Sequence, residues 1–116
     1  MSLAIVGSRN FSNYSLLEKK VLEFITDKKI TTIVSGGAKG ADHLAELFAR
    51  AQNLELHIFL PDWKKYDLLA GPVRNSQIIE ISDYLIAFPS RTGRGTQDSI
   101  KKAQRKGIPV MIHYID

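Results

Sequence analysis

Residues 31–42, TTIVSGGAKGAD, contain a short apolar run, then a glycine-rich loop, and then the start of a helical pattern. The run Thr31–Val34 is typical of a buried strand, which the loop Ser35-Gly36-Gly37 ends. After the loop, apolar side chains recur on one helical face, at Ala41, Leu44, Ala45 and Phe48. A strand that leads through glycines directly into a helix indicates a Rossmann-like α/β unit.

The same alternation continues on both sides of this unit. Apolar runs predict further strands at 3–6, 56–60, 84–88 and 110–112, and helical periodicity predicts further helices at 14–28, 72–81 and 96–106. The strands are continuously apolar, as expected when helices cover both faces of a parallel sheet. The sequence therefore predicts one domain over residues 1–116, a Rossmann-like, doubly wound α/β fold with a five-stranded parallel sheet.

The glycines predict the order of the strands. Most of them follow a strand and precede a helix: Gly7, Gly36, Gly37, Gly40, Gly93 and Gly95. Ligands of such sheets bind beyond the carboxyl ends of the strands, where the strand order reverses. The three glycine loops become neighbours in the order 3-2-1-4-5, whereas the flavodoxin-like order 2-1-3-4-5 separates the first strand from the fourth. We therefore predict the order 3-2-1-4-5.

These loops have the composition of an anion site. Glycines allow close approach of backbone N–H groups, and each following helix adds the positive end of its dipole. Four arginines, Arg9, Arg74, Arg91 and Arg94, fall at the same edge. The alternative is a set of tight turns with close helix–strand packing. The predicted phosphate-binding residues are Gly7, Ser8, Arg9, Ser35, Gly36, Gly37, Lys39, Gly40, Asp42, Arg74, Asn75, Gly93, Arg94, Gly95 and Thr96.

Other residues leave two interpretations open. Trp63, with Tyr66, lies in the longest predicted loop, either as a stacking surface for a base or as an apolar plug. Asp42 and Asp98 are the carboxylates nearest the glycine loops, and each also suits the first turn of a helix. The cluster Lys101, Lys102, Arg105 and Lys106 is interpreted as a solvated helix face rather than a binding patch.

The composition narrows the class of protein. The net charge of +4 favours anionic partners only mildly. The absence of cysteine excludes disulfides and thiolate chemistry and suits a cytoplasmic protein. The three histidines have no metal-ligand spacing, so we expect no metal, and no apolar run approaches the ~20 residues of a membrane span. The sequence is compatible with a homo-oligomer.

Together the loops resemble the SLOG superfamily of Rossmann-like domains, which includes DprA (Smf) and the LOG phosphoribohydrolases. The resemblance rests on AIVGSR at 4–9 and IVSGGAKGAD at 33–42. It is nearest to the small YspA-related branch, whose pattern continues through PDW at 61–63, AGPVRN at 70–75 and GRGT at 93–96, as far as GIPV at 107–110. Such domains occur in bacteria and phages, often in nucleotide signalling.

The resemblance implies a nucleotide-type ligand, such as a nucleoside phosphate or an ADP-ribose-like signal, and a role as a sensor or ligand-binding domain. A LOG-like hydrolase of nucleotide N-glycosidic bonds is the alternative, with Asp98 or Asp42 as its carboxylate. Gly95 and Thr96 match the LOG loop, but Ser99 stands in place of its catalytic glutamate. A DprA-like binder of single-stranded nucleic acid ranks third, because stacking aromatics are few.

Overall fold

Five short strands form one parallel sheet in the computed structural model, which describes all 116 residues. The strands are β1 (Ser2–Gly7), β2 (Thr32–Ser35), β3 (Glu55–Ile58), β4 (Tyr84–Phe88) and β5 (Val110–Ile112). Their order across the sheet is β3-β2-β1-β4-β5. The predicted fold class and strand order are both confirmed.

Five helices connect the strands. They are α1 (Tyr14–Ile25), α2 (Ala41–Ala51), α3 (Trp63–Tyr66), α4 (Ala70–Glu80) and α5 (Gly95–Lys106), with a 3₁₀ turn at Asp67–Leu69. The short helix α3 was not predicted. It begins after Asp62, whose side chain accepts a hydrogen bond from the Lys65 amide at 3.1 Å. One turn of helix is too short for any apolar periodicity, so only this capping aspartate could have indicated it.

The helices divide between the two faces of the sheet. Leu3 and Ile5 of β1 belong to one core, which contains Leu17 of α1 and Phe48 of α2. The alternate β1 residues, Ala4 and Val6, belong to a second core with side chains of α4 and α5, including Ile78, Ile79, Ile100 and Ala103. Because successive strand residues point to opposite faces, both faces of β1 must be apolar, which explains its continuous apolar run.

The strand register brings three loops together at one edge. Gly7 at the end of β1 pairs with Phe88 at the end of β4, and Ala4 pairs with Val34 one residue before the end of β2. The loops that follow β2, β1 and β4 are therefore neighbours. No helix of the chain has both the length and the apolarity needed to cross a bilayer.

Some predicted boundaries were wrong. The third strand was predicted to extend to Leu60, but β3 ends at Ile58. Phe59 still donates its amide to the Ser35 carbonyl at 2.9 Å, whereas Leu60 leaves the ladder and is 67% exposed. Helix α1 ends at Ile25 rather than near Lys28, where the Lys28 ammonium instead donates to the Phe24 carbonyl.

Candidate functional site

A cleft of about 850 Å³ opens at the carboxyl edge of the sheet. Its walls are the loops after β1, β2 and β4, together with the start of α4 and the segment that carries Trp63. Most of the predicted site residues line it: Gly7, Ser8, Arg9, Gly36, Gly37, Asp42, Trp63, Arg74, Asn75, Gly93, Arg94, Gly95, Thr96 and Asp98. Ser35, Lys39 and Gly40 do not.

The N-terminus of α5 presents free backbone donors to this cleft. Gly95 and Thr96 line the cleft, and the amides of Gly95, Thr96 and Gln97 have no hydrogen-bond acceptor in the chain. Arg94, the residue before the helix, is exposed and makes no capping bond with its side chain. Unpaired N–H groups and the positive end of the helix dipole together favour an anion here.

In the loop between β2 and α2 the chain itself accepts from part of the donors, whereas the amides of Gly36, Lys39 and Gly40 have no acceptor in the chain. The Ala41 amide donates to the Ser8 carbonyl at 3.1 Å, and the Ala38 amide donates to Oδ2 of Asp42 at 3.2 Å. Gly40 has a φ of +75°, and a Cβ there would collide with the backbone of Ser8 and Arg9. Glycine at this position therefore allows two backbone segments to approach closely.

Ser35 and Lys39 lie away from the cleft for different reasons. Ser35 is fully buried, and its hydroxyl donates to the Asp42 carbonyl at 3.2 Å. Lys39 is exposed, does not line the cleft and makes no hydrogen bond or ion pair through its side chain. Neither side chain contributes to the cleft wall in this conformation.

The carboxyl group of Asp42 forms part of the cleft wall. Asp42 is only 6% exposed, and burial raises its pKa to about 6 from an ordinary value of 3.8. The Ala38 amide and the positive charges of Arg74 and Arg9 lower the pKa in part, and Glu46 raises it. No lysine, arginine or histidine nitrogen lies within 4 Å of this carboxylate.

Arg74 and Asn75 connect the loops across the cleft. The Arg74 guanidinium donates to the carbonyls of Gly36 and Phe59, and its Nε donates to Oδ1 of Asn75 at 3.0 Å. The Asn75 amide then donates to the Gly95 carbonyl at 3.3 Å and to the Asp98 carboxylate at 3.0 Å. A hydrogen-bonded chain therefore runs from the β2 loop to the first turn of α5.

Asp98 is held by this network and by a lysine. The Lys102 ammonium, one turn along α5, lies 2.7 Å from Oδ2 of Asp98, the same oxygen that accepts from Asn75. Lys102 also donates to the Pro72 carbonyl at 2.7 Å. Asp98 is thus a half-exposed, neutralised link between α4 and α5, whereas Asp42 is a buried carboxylate without an ion-pair partner.

Trp63 lies at the edge of the cleft. It lines the cleft and is 56% exposed, whereas Tyr66 does not line the cleft. An exposed indole at the edge of a polar cleft offers one apolar face for stacking. The stacking interpretation of Trp63 therefore fits its position better than the alternative of an apolar cover over the strand ends.

Several lining residues were not among the predicted ones: Asn10, Pro61, Gly71, Pro72, Ser90, Thr92 and Ser99. Most of them adjoin predicted residues in the same loops, so extending each loop by two positions would have included them. Arg91, expected at the anion site, instead contacts Asp116 with its side chain and its amide.

The basic cluster of α5 is partly engaged within the chain. Besides Lys102, the Lys106 ammonium donates to the carbonyls of Ile79, Glu80 and Ser82, where it closes the end of α4. Lys101 and Arg105 are exposed. Cations near unsatisfied helix carbonyls stabilise a helix end, so part of this cluster has a structural role.

A comparison with known protein families finds the family that the sequences of the glycine loops resemble. The family model described as "YAcAr: YspA, cpYpsA-related SLOG family" matches residues 1–66 of this chain. Among curated proteins, the chain is similar to the Gene 61 protein of Mycobacterium phage D29, at 33% identity over 85 residues. That alignment covers 68% of each chain.

Among solved structures, the fold is similar to the DNA processing protein A (DprA) structures from two bacteria. The Streptococcus pneumoniae structure has a TM-score of 0.75 and 20% identity, and the match covers 96% of this chain and 49% of that one. The Helicobacter pylori structure, which describes the single-stranded DNA binding mode of that protein, has a TM-score of 0.72 and 20% identity, and the match covers 97% of this chain and 64% of that one. The chain therefore spans between about half and two thirds of these DprA chains.

Proposed function

This chain belongs to the YspA, cpYpsA-related SLOG family, and on that premise we propose that its cleft binds a nucleotide or nucleotide derivative as a sensor or ligand-binding domain. The phosphate lies at the N-terminus of α5. One observation carries this proposal, namely the free amides of Gly95, Thr96 and Gln97 at the edge of an open cleft. The hydroxyl of Thr96 and the guanidinium of Arg94 complete the set of donors.

The number of donors is sufficient for useful affinity. Hydrogen bonds to charged groups contribute about 1.5–3 kcal/mol each, and micromolar binding requires about −8 kcal/mol. Three amides with one arginine, plus stacking on Trp63, reach this range after ordering costs. The cleft, at about 850 Å³, lies within the range of small-molecule sites.

Thermal unfolding with a panel of ligands tests the proposal. AMP and ADP-ribose should raise the melting temperature, because a ligand at 100 Kd adds about 2.7 kcal/mol to the free energy of unfolding. Adenosine, which has no phosphate, should not raise it. Arg94→Gln and Thr96→Val should weaken the AMP effect. Arg50→Gln, which removes an exposed arginine in the last turn of α2, serves as the control and should leave the effect intact. Equal effects of AMP on the Arg94, Thr96 and Arg50 variants would place the phosphate elsewhere.

Single-stranded DNA is a second candidate ligand, favoured by the similarity to the DprA fold. The exposed Trp63 and the cationic residues Arg9 and Arg94 at the cleft suit a nucleic-acid strand as well as a mononucleotide. Salt-sensitive binding of an oligonucleotide, without a response to AMP or ADP-ribose, would favour this candidate over the first.

Hydrolysis of an N-glycosidic bond is the remaining alternative, and the pKa of Asp42 favours this residue over Asp98 as the carboxylate. A carboxyl group with a pKa near 6 can exchange protons close to neutral pH. Release of free adenine from AMP by the wild type, abolished by Asp42→Asn but not by Asp98→Asn, would establish that reaction.

A further inference from the structure

The carboxylate of Asp42 has one oxygen without a partner. Its Oδ2 accepts from the Ala38 amide, whereas no donor in the chain reaches Oδ1. Every fully buried polar side-chain atom of the protein has a hydrogen-bond partner. Oδ1 is therefore accessible, although Asp42 is only 6% exposed, and the surface that Asp42 lines is the cleft. An ionised carboxylate only accepts hydrogen bonds, so its partner must be a donor.

The negative charge of this carboxylate disfavours an anion beside it. The charges of Arg74 and Arg9 act on Asp42, but neither arginine forms an ion pair with it, and the Arg74 guanidinium donates to Gly36, Phe59 and Asn75. The loop amides at Ala38 and Ala41 are already occupied. A phosphate placed in the β2–α2 loop would meet the Asp42 charge, although the amides of Gly36, Lys39 and Gly40 have no acceptor in the chain.

The two ends of the cleft therefore differ in the groups that they offer to a ligand. The α5 end has free amides and Arg94, and the β2–α2 end has a free carboxylate oxygen. We infer that Asp42 is the specificity-determining residue that accepts a hydrogen-bond donor of the ligand and directs the phosphate to α5. This inference rests on the proposed function, because it fixes the orientation of the same nucleotide in the same cleft.

Two parts of a nucleotide carry such donors, the hydroxyls of the sugar and the exocyclic amine of the base. Affinities measured by calorimetry for AMP, 2′,3′-dideoxy-AMP and IMP distinguish them. We expect the wild type to bind AMP at least about tenfold more tightly than one of the two analogues, since a hydrogen bond to a charged group is lost. The dideoxy compound tests the sugar, and IMP tests the amine.

Variants then assign the preference to Asp42. Asp42→Asn should reduce the preference, and Asp42→Ala should bring it close to one, while AMP binding itself persists through the α5 donors. Asp27→Asn is the matched control, since Asp27 is an exposed aspartate just after α1 that does not line the cleft, and it should keep the wild-type preference. Circular dichroism confirms that each variant is folded.

The outcomes separate this inference from the proposed function. Failure of both AMP and ADP-ribose to bind the wild type would overturn both. Equal affinities of the wild type for AMP and both analogues would overturn the role of Asp42 alone. A preference for AMP that survives in Asp42→Ala would do the same. Loss of the preference in Asp98→Asn, with Asp42→Asn unchanged, would transfer that role to the other carboxylate.

Discussion

At the scale of single residues, Gly40 shows how a glycine in a predicted binding loop can serve the fold. Its φ of +75° is unfavourable for other residues, and a Cβ would meet the Ser8 and Arg9 backbone. We expect Gly40→Ala to lower the free energy of unfolding by about 2–4 kcal/mol, because positive-φ strain and steric overlap add. Urea denaturation measures this change.

Gly71 provides the matched control for this substitution. It lies in the first turn of α4, and a Cβ there would have no heavy atom within 4 Å. Gly71→Ala should leave stability unchanged or raise it by up to about 1 kcal/mol. Equal destabilisation by the two substitutions would show that Gly40 has no special conformational role.

Asp42 should give stability a specific dependence on pH. Burial raises its pKa to about 6 in the folded protein, so the folded state binds the proton more tightly than the unfolded state, whose pKa is near 3.8. The stabilising effect of the proton is complete below pH 3.8 and is lost as the pH rises through 6. Asp42→Asn removes this dependence.

The free energy of unfolding of Asp42→Asn, measured relative to that of the wild type, should therefore rise by about 2–3 kcal/mol between pH 4 and pH 7. Urea denaturation of both proteins across this range measures the difference. A difference that stays constant with pH would mean that the carboxyl group is not desolvated in the folded state.

At the scale of elements, Asn75 joins two helices that meet at the cleft. Its side-chain amide donates to the Gly95 carbonyl and the Asp98 carboxylate, and Asn75 is only 7% exposed. Asn75→Ala should lower the free energy of unfolding by about 1–3 kcal/mol, because it leaves partly buried acceptors unpaired. It should also weaken AMP binding, since the first turn of α5 is no longer fixed.

The exposed neighbour Gln77 on the same helix is the control. Gln77→Ala should change stability by no more than about 0.5 kcal/mol and leave AMP binding as in the wild type. If Asn75→Ala has the stability effect without any effect on AMP affinity, the link between α4 and α5 supports the fold but not the site.

Elements with a clear apolar pattern, including the short strands, could be predicted from the sequence, whereas the one-turn helix α3 could not. The helices α2 and α5 have buried stripes, and the glycine loops predicted the strand order, because ligand loops converge at a strand reversal. The predicted end of β3 was wrong, since Phe59 and Leu60 remain apolar beyond the last strand residue, Ile58. Leu60 contacts the Gly37 region there, a tertiary contact that no local pattern reveals.

The sequence predicts where the site lies, but not which of its hydrogen-bond donors are free. Glycines and arginines indicate where an anion can bind. Whether their donors are free depends on residues distant in sequence, such as Ser8 for the Ala41 amide. The same holds for Arg74, whose guanidinium already binds carbonyls of the chain.

At the scale of the whole molecule, the net charge of +4 is small, and part of the basic cluster of α5 is bound to the chain's own carbonyls. We therefore expect AMP binding to depend weakly on salt, because a single phosphate is contacted. Fluorescence anisotropy of a twelve-nucleotide single strand should show no tighter binding than AMP at 150 mM salt. Tight oligonucleotide binding with a steep salt slope would instead favour the nucleic-acid candidate.

The most direct measurement is a titration of the ¹⁵N-labelled protein with AMP, followed by the backbone amide resonances. A phosphate at the N-terminus of α5 predicts that Gly95, Thr96 and Gln97 shift most, that inorganic phosphate shifts the same three amides, and that adenosine does not. Saturable AMP binding that leaves these three amides unmoved, or no shift with AMP or ADP-ribose at millimolar concentration, would contradict a phosphate site at α5.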